Sequence, residues 1–373
     1  MTTEPLPICR RNEAAVEDRS RAATQATDGD PEGPTTGRLR GWPPDLGLAA
    51  CVVIAAIAWA LEAVVRGLGI AAISAVFLAI LLGLVLQALS PGAGWGPGAQ
   101  FASTKILKAG IVLLGLRFNL AALSVVGRLG TLAILAVLMA AALIALVVKR
   151  WSILPPRLAV LIAAGTAICG NSAIAAVAPL LGAKEEEVSY ASGVITVFGM
   201  ALVLGLPLVG HTLGLSDQQF GILAGAGVHD SGQAVATGFI YSESAGGIAT
   251  VTKLARTTAL IPLLAVLSLQ GSRHGGRSVK TASLVPWFAI GFVALSAVRT
   301  LVEAVIGTPL IWQQLLSVAA SAATASILVA MAGMGLATNL NDLREIGPRP
   351  LLVGLAASIA VTGAAATVAM NLA

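Results

Sequence analysis

Apolar stretches of about 20 residues recur along most of the chain, and they limit its fold more than any other feature. A helix needs about 20 apolar residues to cross a bilayer, and about eleven such stretches follow Leu46. The mean hydropathy is +0.88 and only 11% of the residues are charged, unlike soluble domains. The sequence therefore predicts an all-α polytopic membrane protein with about 11 transmembrane helices. The predicted spans are 46–65, 70–89, 103–126, 130–148, 157–182, 189–209, 219–240, 249–269, 284–306, 315–338 and 350–371.

Residues 1–40 differ in kind from the rest of the chain. They contain six arginines among Glu, Asp, Thr, Gly and Pro, and they have no apolar run. Such a composition cannot bury enough apolar surface to fold, and it also lacks the apolar core of a signal peptide. We expect a disordered cytoplasmic tail at 1–40 and a transmembrane transporter domain at 41–373.

The placement of basic residues predicts the orientation in the membrane. Lys and Arg in short loops are retained on the cytoplasmic side. With a cytoplasmic amino terminus, the tail and the inside loops hold fourteen basic residues, and the outside loops hold Arg66, Arg128 and Lys184. This asymmetry predicts a multi-pass protein of the bacterial inner membrane whose carboxyl terminus is periplasmic or extracellular.

Two segments of the chain resemble each other. "GLRFNLAALSVVG" (115–127) and "GLATNLNDLREIG" (335–347) are identical at six of 13 positions at a constant offset of 220. They end spans that run in opposite directions, so 103–150 and 315–373 form a predicted inverted repeat. Inverted repeats are typical of secondary transporters. The alternative is that two Gly-rich helix ends meet similar packing demands.

The fifth predicted span is interrupted by "CGNSA". A break at Gly170, Asn171 and Ser172 frees backbone groups that lipid cannot satisfy, so these groups must face protein or a watery cavity. A half-helix that starts near Asn171 would direct the positive end of its dipole at an anion. We therefore predict that these three residues bind substrate, with small-residue helix packing as the alternative.

The seventh predicted span carries "AGAGVHDSGQAVATG" (224–238), a polar cluster in an apolar chain. One interpretation makes His229 and Asp230 a proton relay. Another makes His229, Ser231 and Gln233 anion ligands that Asp230 orients, and a third makes the cluster a hydrogen-bonded clamp between helices. The sequence of this stretch also resembles that of 164–176 at an offset of 60, a similarity that we call the echo. This echo is either a coincidence or a sign that one segment is re-entrant.

Cations inside the predicted spans offer charge for an anionic solute. Arg117 has an alanine at the equivalent position of the repeat, which indicates a task for one half only. Lys253 and Arg256 share one helix face, and they either bind the anion, pair with Asp230 or reach the interface by snorkelling. Snorkelling is the default interpretation for Lys108.

The sequence lacks the motifs that several classes of function require. No phosphate-binding loop, metal-ligand spacing or nucleophile motif is present, and the three cysteines show no paired loop spacing. We therefore expect no enzyme activity, no metal, no cofactor and no nucleic-acid partner. The expected partners are a small anionic solute and the lipid bilayer, and assembly into a homo-oligomer is left open.

Four motifs together resemble the YeiH-like family of bacterial inner-membrane proteins, usually labelled as sulfate exporters. They are "LKAGIVLLGLR" (107–117), "GTAICGNSAIAA" (165–176), "VHDSGQAVATG" (228–238) and "KLARTTALIP" (253–262). The resemblance implies a secondary transporter that exports sulfate or small sulfonates.

Residues and resemblance together favour a secondary transporter of a small anion, coupled to protons through His229 and Asp230. The alternative is a cation/proton antiporter in which Asp230 binds the ion. An intramembrane enzyme or a sensor is the remaining class.

Overall fold

The computed structural model describes residues 44–68, 74–90, 95–151, 153–272, 287–338 and 347–371. The predicted tail, the basic residues at 273–280 and positions 339–346 of the second repeat lie outside the described residues. All regular elements in the described part of the chain are helical. In chain order they are α1 (Pro44–Gly67), α2 (Ala75–Leu89), α3 (Gly96–Arg117), α4 (Leu120–Arg150), α5 (Pro156–Ala167), α6 (Asn171–Leu181), α7 (Glu185–Thr212), α8 (Asp217–Gly227), α9 (Ser231–Tyr241), α10 (Glu243–Thr257), α11 (Leu260–Ser272), α12 (Trp287–Val305), α13 (Leu310–Ala337) and α14 (Pro348–Met370).

Eight apolar segments among the described residues are long enough to cross a membrane: α1, α3, α4, α7, α10 with the start of α11, α12, α13 and α14. Helix α2 is apolar but has only 15 residues. Large apolar side chains such as Trp59, Met139 and Val318 are exposed on the outer faces, where they would meet lipid. The fold class is therefore confirmed, whereas the count of eleven is not.

The predicted span 219–240 is a hairpin of two short helices. Near the base of α8, the ring of Phe220 stacks on Tyr241, the last residue of α9, with ring centroids 3.9 Å apart. Ser242 Oγ also donates to Asp217 Oδ1 over 2.7 Å. Both ends of hairpin 2 (α8 and α9) thus lie on the same side of the membrane, which we call side A, and its tip, residues 228–230, lies within the fold.

The predicted span 157–182 is a second hairpin, which enters from the opposite side, side B. Helix α10 leads from side A to the tip of hairpin 2, and α11 continues towards side B. Helix α6 packs against α11, and both α5 and α6 pack on α7. Near the tip, a Cβ on Gly165 would lie 3.0 Å from Ile174 of α6. Hairpin 1 (α5 and α6) therefore has its tip, residues 168–170, at the same depth as that of hairpin 2.

The hairpins correct the predicted topology at two loops. Lys184 lies on side B together with Lys149 and Arg150, although the sequence predicted it on the other side. The segment 213–216 lies on side A, again opposite to its predicted side. Because each hairpin removes one crossing, the two errors cancel, and later loops keep their predicted sides.

The hairpins also account for the echo at an offset of 60. Residues 168–170 and 228–230 both form tips, and Asn171 and Ser231 both begin a helix directed away from the tip. The two hairpins enter from opposite sides, as an inverted repeat requires. Helix α3 likewise runs opposite to α13, since the Cβ positions of Gly110 and Gly333 lie against Ser326 and Ala102 respectively. The longer repeat of 103–150 and 315–373 stays a prediction.

The helices pack as two bundles. The hairpin bundle contains α4 to α11 and α14, and the support bundle contains α1 to α3, α12 and α13. Most helix packing lies within a bundle, and the main contacts between bundles are those of α9 with α2 and of α12 with α4. A cavity lies between the bundles at the hairpin tips.

Candidate functional site at the hairpin tips

Arg256 of α10 holds the two hairpin tips together. Its side chain is 0% exposed, and its guanidinium donates to backbone carbonyls of both hairpins. A tip has carbonyl groups that no helix satisfies, and an unpaired carbonyl is costly inside a membrane. Arg256 therefore acts as a shared cap. The acceptors are the carbonyl oxygens of Thr166 and Ile168 in hairpin 1, and of Ala226, Val228 and His229 in hairpin 2.

Lys253 supplements this cap one helical turn earlier. It is 1% exposed, and its Nζ donates to the carbonyl of Val228 over 2.8 Å and to that of His229. Sequence reasoning offered three roles for Lys253 and Arg256, namely binding the anion, pairing with Asp230 or snorkelling to the interface. The structure places their donors on backbone carbonyls behind the tips, outside the residues that line the cavity.

The two tips touch at Gly170 and Asp230. Gly170 has φ +67°, a conformation that favours glycine, and a Cβ there would lie 2.7 Å from Asp230 Oδ2. Asp230 caps α9, because its Oδ1 accepts the N–H of Gly232 over 2.9 Å. The carboxylate thus lies between the amino termini of α6 and α9, whose partial positive charges favour it.

His229 is buried behind the tip rather than exposed to the cavity. Its Nε2 lies 2.5 Å from Ser358 Oγ of α14, and its Nδ1 has no partner among the described residues. Its roles as anion ligand and proton relay stay predictions. Direct contact with a solute in the cavity would require this ring to move.

The cavity has a volume of about 290 Å³ and lies where the tips face α3, α12 and α13. Asn171, Ser172 and Thr104 in its wall are exposed, so the cavity is not sealed on this side. Phe288 and Thr338 place the open end towards side B, because α12 begins and α13 ends on that side. The polar lining consists of Ser103, Thr104 and Lys108 of α3, Asn171 and Ser172 of α6, Thr196 of α7, Asp230, Ser231 and Gln233 of hairpin 2, and Thr338 after α13.

Gln233 is fixed by α7. Its Nε2 donates to the carbonyl of Thr196 over 3.1 Å, and its side chain lies across Gly199 so closely that a Cβ there would be 1.8 Å from Oε1. Asn171 Nδ2 reaches the hydroxyl of the same threonine over 3.5 Å. Thr196 therefore links the first turns of α6 and α9, which no motif in the sequence indicated.

Lys108 is the residue that sequence reasoning most clearly missed. It lines the cavity, and its Nζ lies 5.7 Å from the centre of the Phe288 ring. The predicted span began at residue 103, which put Lys108 near an interface and favoured snorkelling. The helix begins at Gly96, so Lys108 lies three turns inside α3. A prediction that the helix begins near Gly96 would have placed Lys108 inside the membrane and indicated a functional role.

Arg117 does not join the site. It ends α3 on side A and forms an ion pair with Glu243, the first residue of α10, over 2.8 Å. Gly247 lies beside Phe118, where a Cβ would be 2.2 Å from the ring. These two contacts join the bundles on side A, away from the cavity's open end.

Sequence comparisons place the chain in a family of membrane proteins. A family profile described as "Conserved hypothetical protein 698" matches residues 46–354. A UPF0324 membrane protein of Brucella melitensis is 34% identical over 330 residues, which cover 88% of this chain and 90% of the relative. The chain belongs to the UPF0324 membrane protein family. This membership confirms the resemblance carried by the four motifs.

Other UPF0324 proteins cover the chain to a similar extent. One from Bradyrhizobium diazoefficiens is 34% identical over 309 residues, with 81% of this chain and 86% of the relative covered. One from Streptococcus agalactiae is 33% identical over 318 residues, with 83% and 92% covered. No solved structure matches the chain. The UPF0324 names describe membrane proteins and state no solute.

Proposed function

We propose that this protein is a secondary transporter, acting as an exporter, of a small anion such as sulfate or an organosulfonate. The observation that carries the proposal is the cavity at the hairpin tips, where the amino termini of α6 and α9 and the ammonium group of Lys108 converge. Interrupted helices whose amino termini point at a midplane site are the usual anion-binding device of secondary transporters.

The charge around the cavity supports an anion. Each half-helix contributes the equivalent of about half a positive charge at its amino terminus. Lys108 lies in the wall, and Lys253 and Arg256 lie directly behind the tips, whereas Asp230 is the acidic residue of the lining. Positive charge therefore exceeds negative charge among the described residues at this site.

The packing into two bundles suggests how the cavity would open to each side of the membrane in turn. On side A the bundles meet through the Arg117–Glu243 ion pair and the Phe118–Gly247 contact, while the cavity opens towards side B. Movement of the hairpin bundle against the support bundle would close one opening and create the other. The basic residues at the ends of α4 and α5 favour side B as cytoplasmic, in line with the predicted termini.

Counterflow in proteoliposomes tests the proposal. Vesicles loaded with unlabelled sulfate or ethanesulfonate should accumulate the labelled solute in a saturable manner. Lys108→Met should lower this uptake by about tenfold or more, because a charged hydrogen bond is lost. Lys105→Met is the matched control, since Lys105 is exposed and lies outside the cavity lining. Absence of counterflow for every acid solute tried with folded protein, or equal uptake by both variants, contradicts the proposal.

Asp230 favours a second candidate, a cation/proton antiporter, because its carboxylate lies in the cavity wall. In vesicles that contain no transportable anion, an imposed Na⁺ or K⁺ gradient would then drive a pH change that Asp230→Asn abolishes. The anion transporter predicts no such pH change. Proton coupling of anion export through Asp230 and His229 would instead make counterflow independent of a proton gradient and net export dependent on one.

A further inference from the structure

Two opposite charges face each other across the cavity. Lys108 comes from α3 of the support bundle, and Asp230 comes from the tip of hairpin 2. They form no ion pair with each other, and neither pairs with any other described residue, since the ion pairs found there are Arg66–Glu62, Arg117–Glu243 and Arg299–Glu303. The cavity separates a cation from an anion, and neither has an ion-pair partner among the described residues.

The capping contacts of Asp230 leave it acceptor capacity. A carboxylate has about four sites for donors, and the N–H groups of Gly232 and Asn171 fill two of them. Lys253 and Arg256 behind the tip donate to backbone carbonyls, so they give the carboxylate no hydrogen bond, although the charge of Lys253 acts on it through space. A donor that enters the cavity can therefore satisfy the carboxylate.

A solute with negative charge alone would be attracted by Lys108 and the helix amino termini but repelled by an ionised Asp230 in the same wall. Like charges a few ångströms apart repel more strongly in a protein cavity than in water, because the effective dielectric constant is lower. The repulsion is larger for a dianion beside an ionised Asp230. A positively charged group on the solute turns this repulsion into attraction, while Lys108 and the amino terminus of α6 still hold the acid group.

Building on the proposed anion site, we propose that the solute is a small zwitterion, whose cationic group pairs with Asp230 and whose acid group faces Lys108. The volume of about 290 Å³ is at the lower end of ligand cavities, so it suits a molecule of few atoms. An aminoalkane sulfonate or an amino acid has the required chemistry. Inorganic sulfate lacks the cationic group.

Three matched probes test this inference: 2-aminoethanesulfonate carries both charges, ethanesulfonate lacks the amine, and ethylamine lacks the acid. Binding is measured by thermal stabilisation of the purified protein and by competition in the counterflow assay. We expect 2-aminoethanesulfonate to bind about tenfold or more tightly than either of the other probes. Equal affinity for the two sulfonates overturns the inference but leaves anion transport intact.

Two variants test which side chain recognises the amine of the solute and which recognises its acid group. Asp230→Asn keeps the helix cap, because Asn caps as well as Asp, and it should abolish the preference for the amine without weakening ethanesulfonate. Lys108→Met should weaken both sulfonates, and Lys105→Met neither. If Asp230→Asn weakens both sulfonates equally, Asp230 does not recognise the amine and the inference is overturned. Failure of every acid solute to bind or move rejects the proposed function itself.

Discussion

The two hairpin tips have the same backbone arrangement but different chemistry. Both end a short helix, expose carbonyls that Arg256 caps, and begin a second helix one residue after the tip. Tip 2 carries His229 and Asp230, where tip 1 has Cys169 and Gly170. Hairpin 2 therefore supplies the charge while hairpin 1 makes room for it, since Gly170 leaves the space that Asp230 fills.

The largest expected effect comes from the group that both tips share. Arg256→Met leaves the capped carbonyls without donors, and each buried unpaired group costs about 1–3 kcal/mol. We expect a loss of more than about 4 kcal/mol of stability, measured as thermal unfolding in detergent. Arg66→Met is the control, because Arg66 is exposed and pairs only with Glu62. Unfolding of Arg256→Met near the wild-type temperature would mean that the tips do not depend on this residue.

The next largest loss of stability is expected at Gly170, where a side chain would cause both a steric clash with tip 2 and backbone strain. Gly170→Ala introduces a Cβ into contact with Asp230 and also strains a residue with φ +67°. The expected cost is about 2–4 kcal/mol. Gly182→Ala is the matched control, because Gly182 has φ +57° with open space around it, and it should cost only about 1–2 kcal/mol. Equal unfolding temperatures for the two variants would show that the tips do not touch.

A smaller effect tests the support behind tip 2. Ser358→Ala removes the partner of His229 Nε2, leaving a buried imidazole with both nitrogens unpaired. We expect a loss of about 1–2 kcal/mol in thermal unfolding. Ser321→Ala should change little, because this exposed hydroxyl bonds only to its own helix. If both serine variants unfold alike, Ser358 does not hold the histidine.

The smallest effect is expected outside the tips. Arg117→Gln breaks an ion pair whose acidic partner is 64% exposed, so it should cost less than about 1 kcal/mol. Raising the salt concentration should remove even this difference, because salt screens exposed charges. A loss of stability like that of Arg256→Met, persisting at high salt, would contradict the contrast between tip and surface cations.

The membrane class and the break at Gly170 followed from the sequence, because apolar length and a Gly-Asn-Ser interruption are local signals. The hairpins did not follow, since two short helices and their tip together contain as many apolar residues as one crossing helix. Hydropathy alone cannot separate these cases. The sequence similarity at an offset of 60 was the available evidence for them. Two hairpins that enter the membrane from opposite sides form an inverted pair, so their sequences can resemble each other.

The site was predictable only in part. Asn171, Ser172, Asp230, Ser231 and Gln233 line the cavity as the polar clusters indicated. The donors of Arg256 lie on backbone carbonyls, and a sequence does not show which carbonyls lack a partner.

The shared cap also sets an order for biosynthesis. The carbonyls of hairpin 1 receive their donor from Arg256, which lies 88 residues after Ile168 in the chain. A ribosome has therefore made α7 and hairpin 2 before hairpin 1 can complete its hydrogen bonds. Until then, the first hairpin consists of two helices that are each too short to cross the bilayer, and the unpaired carbonyls make its tip too polar to rest in lipid. The nascent chain must shelter it against protein or water until α10 arrives.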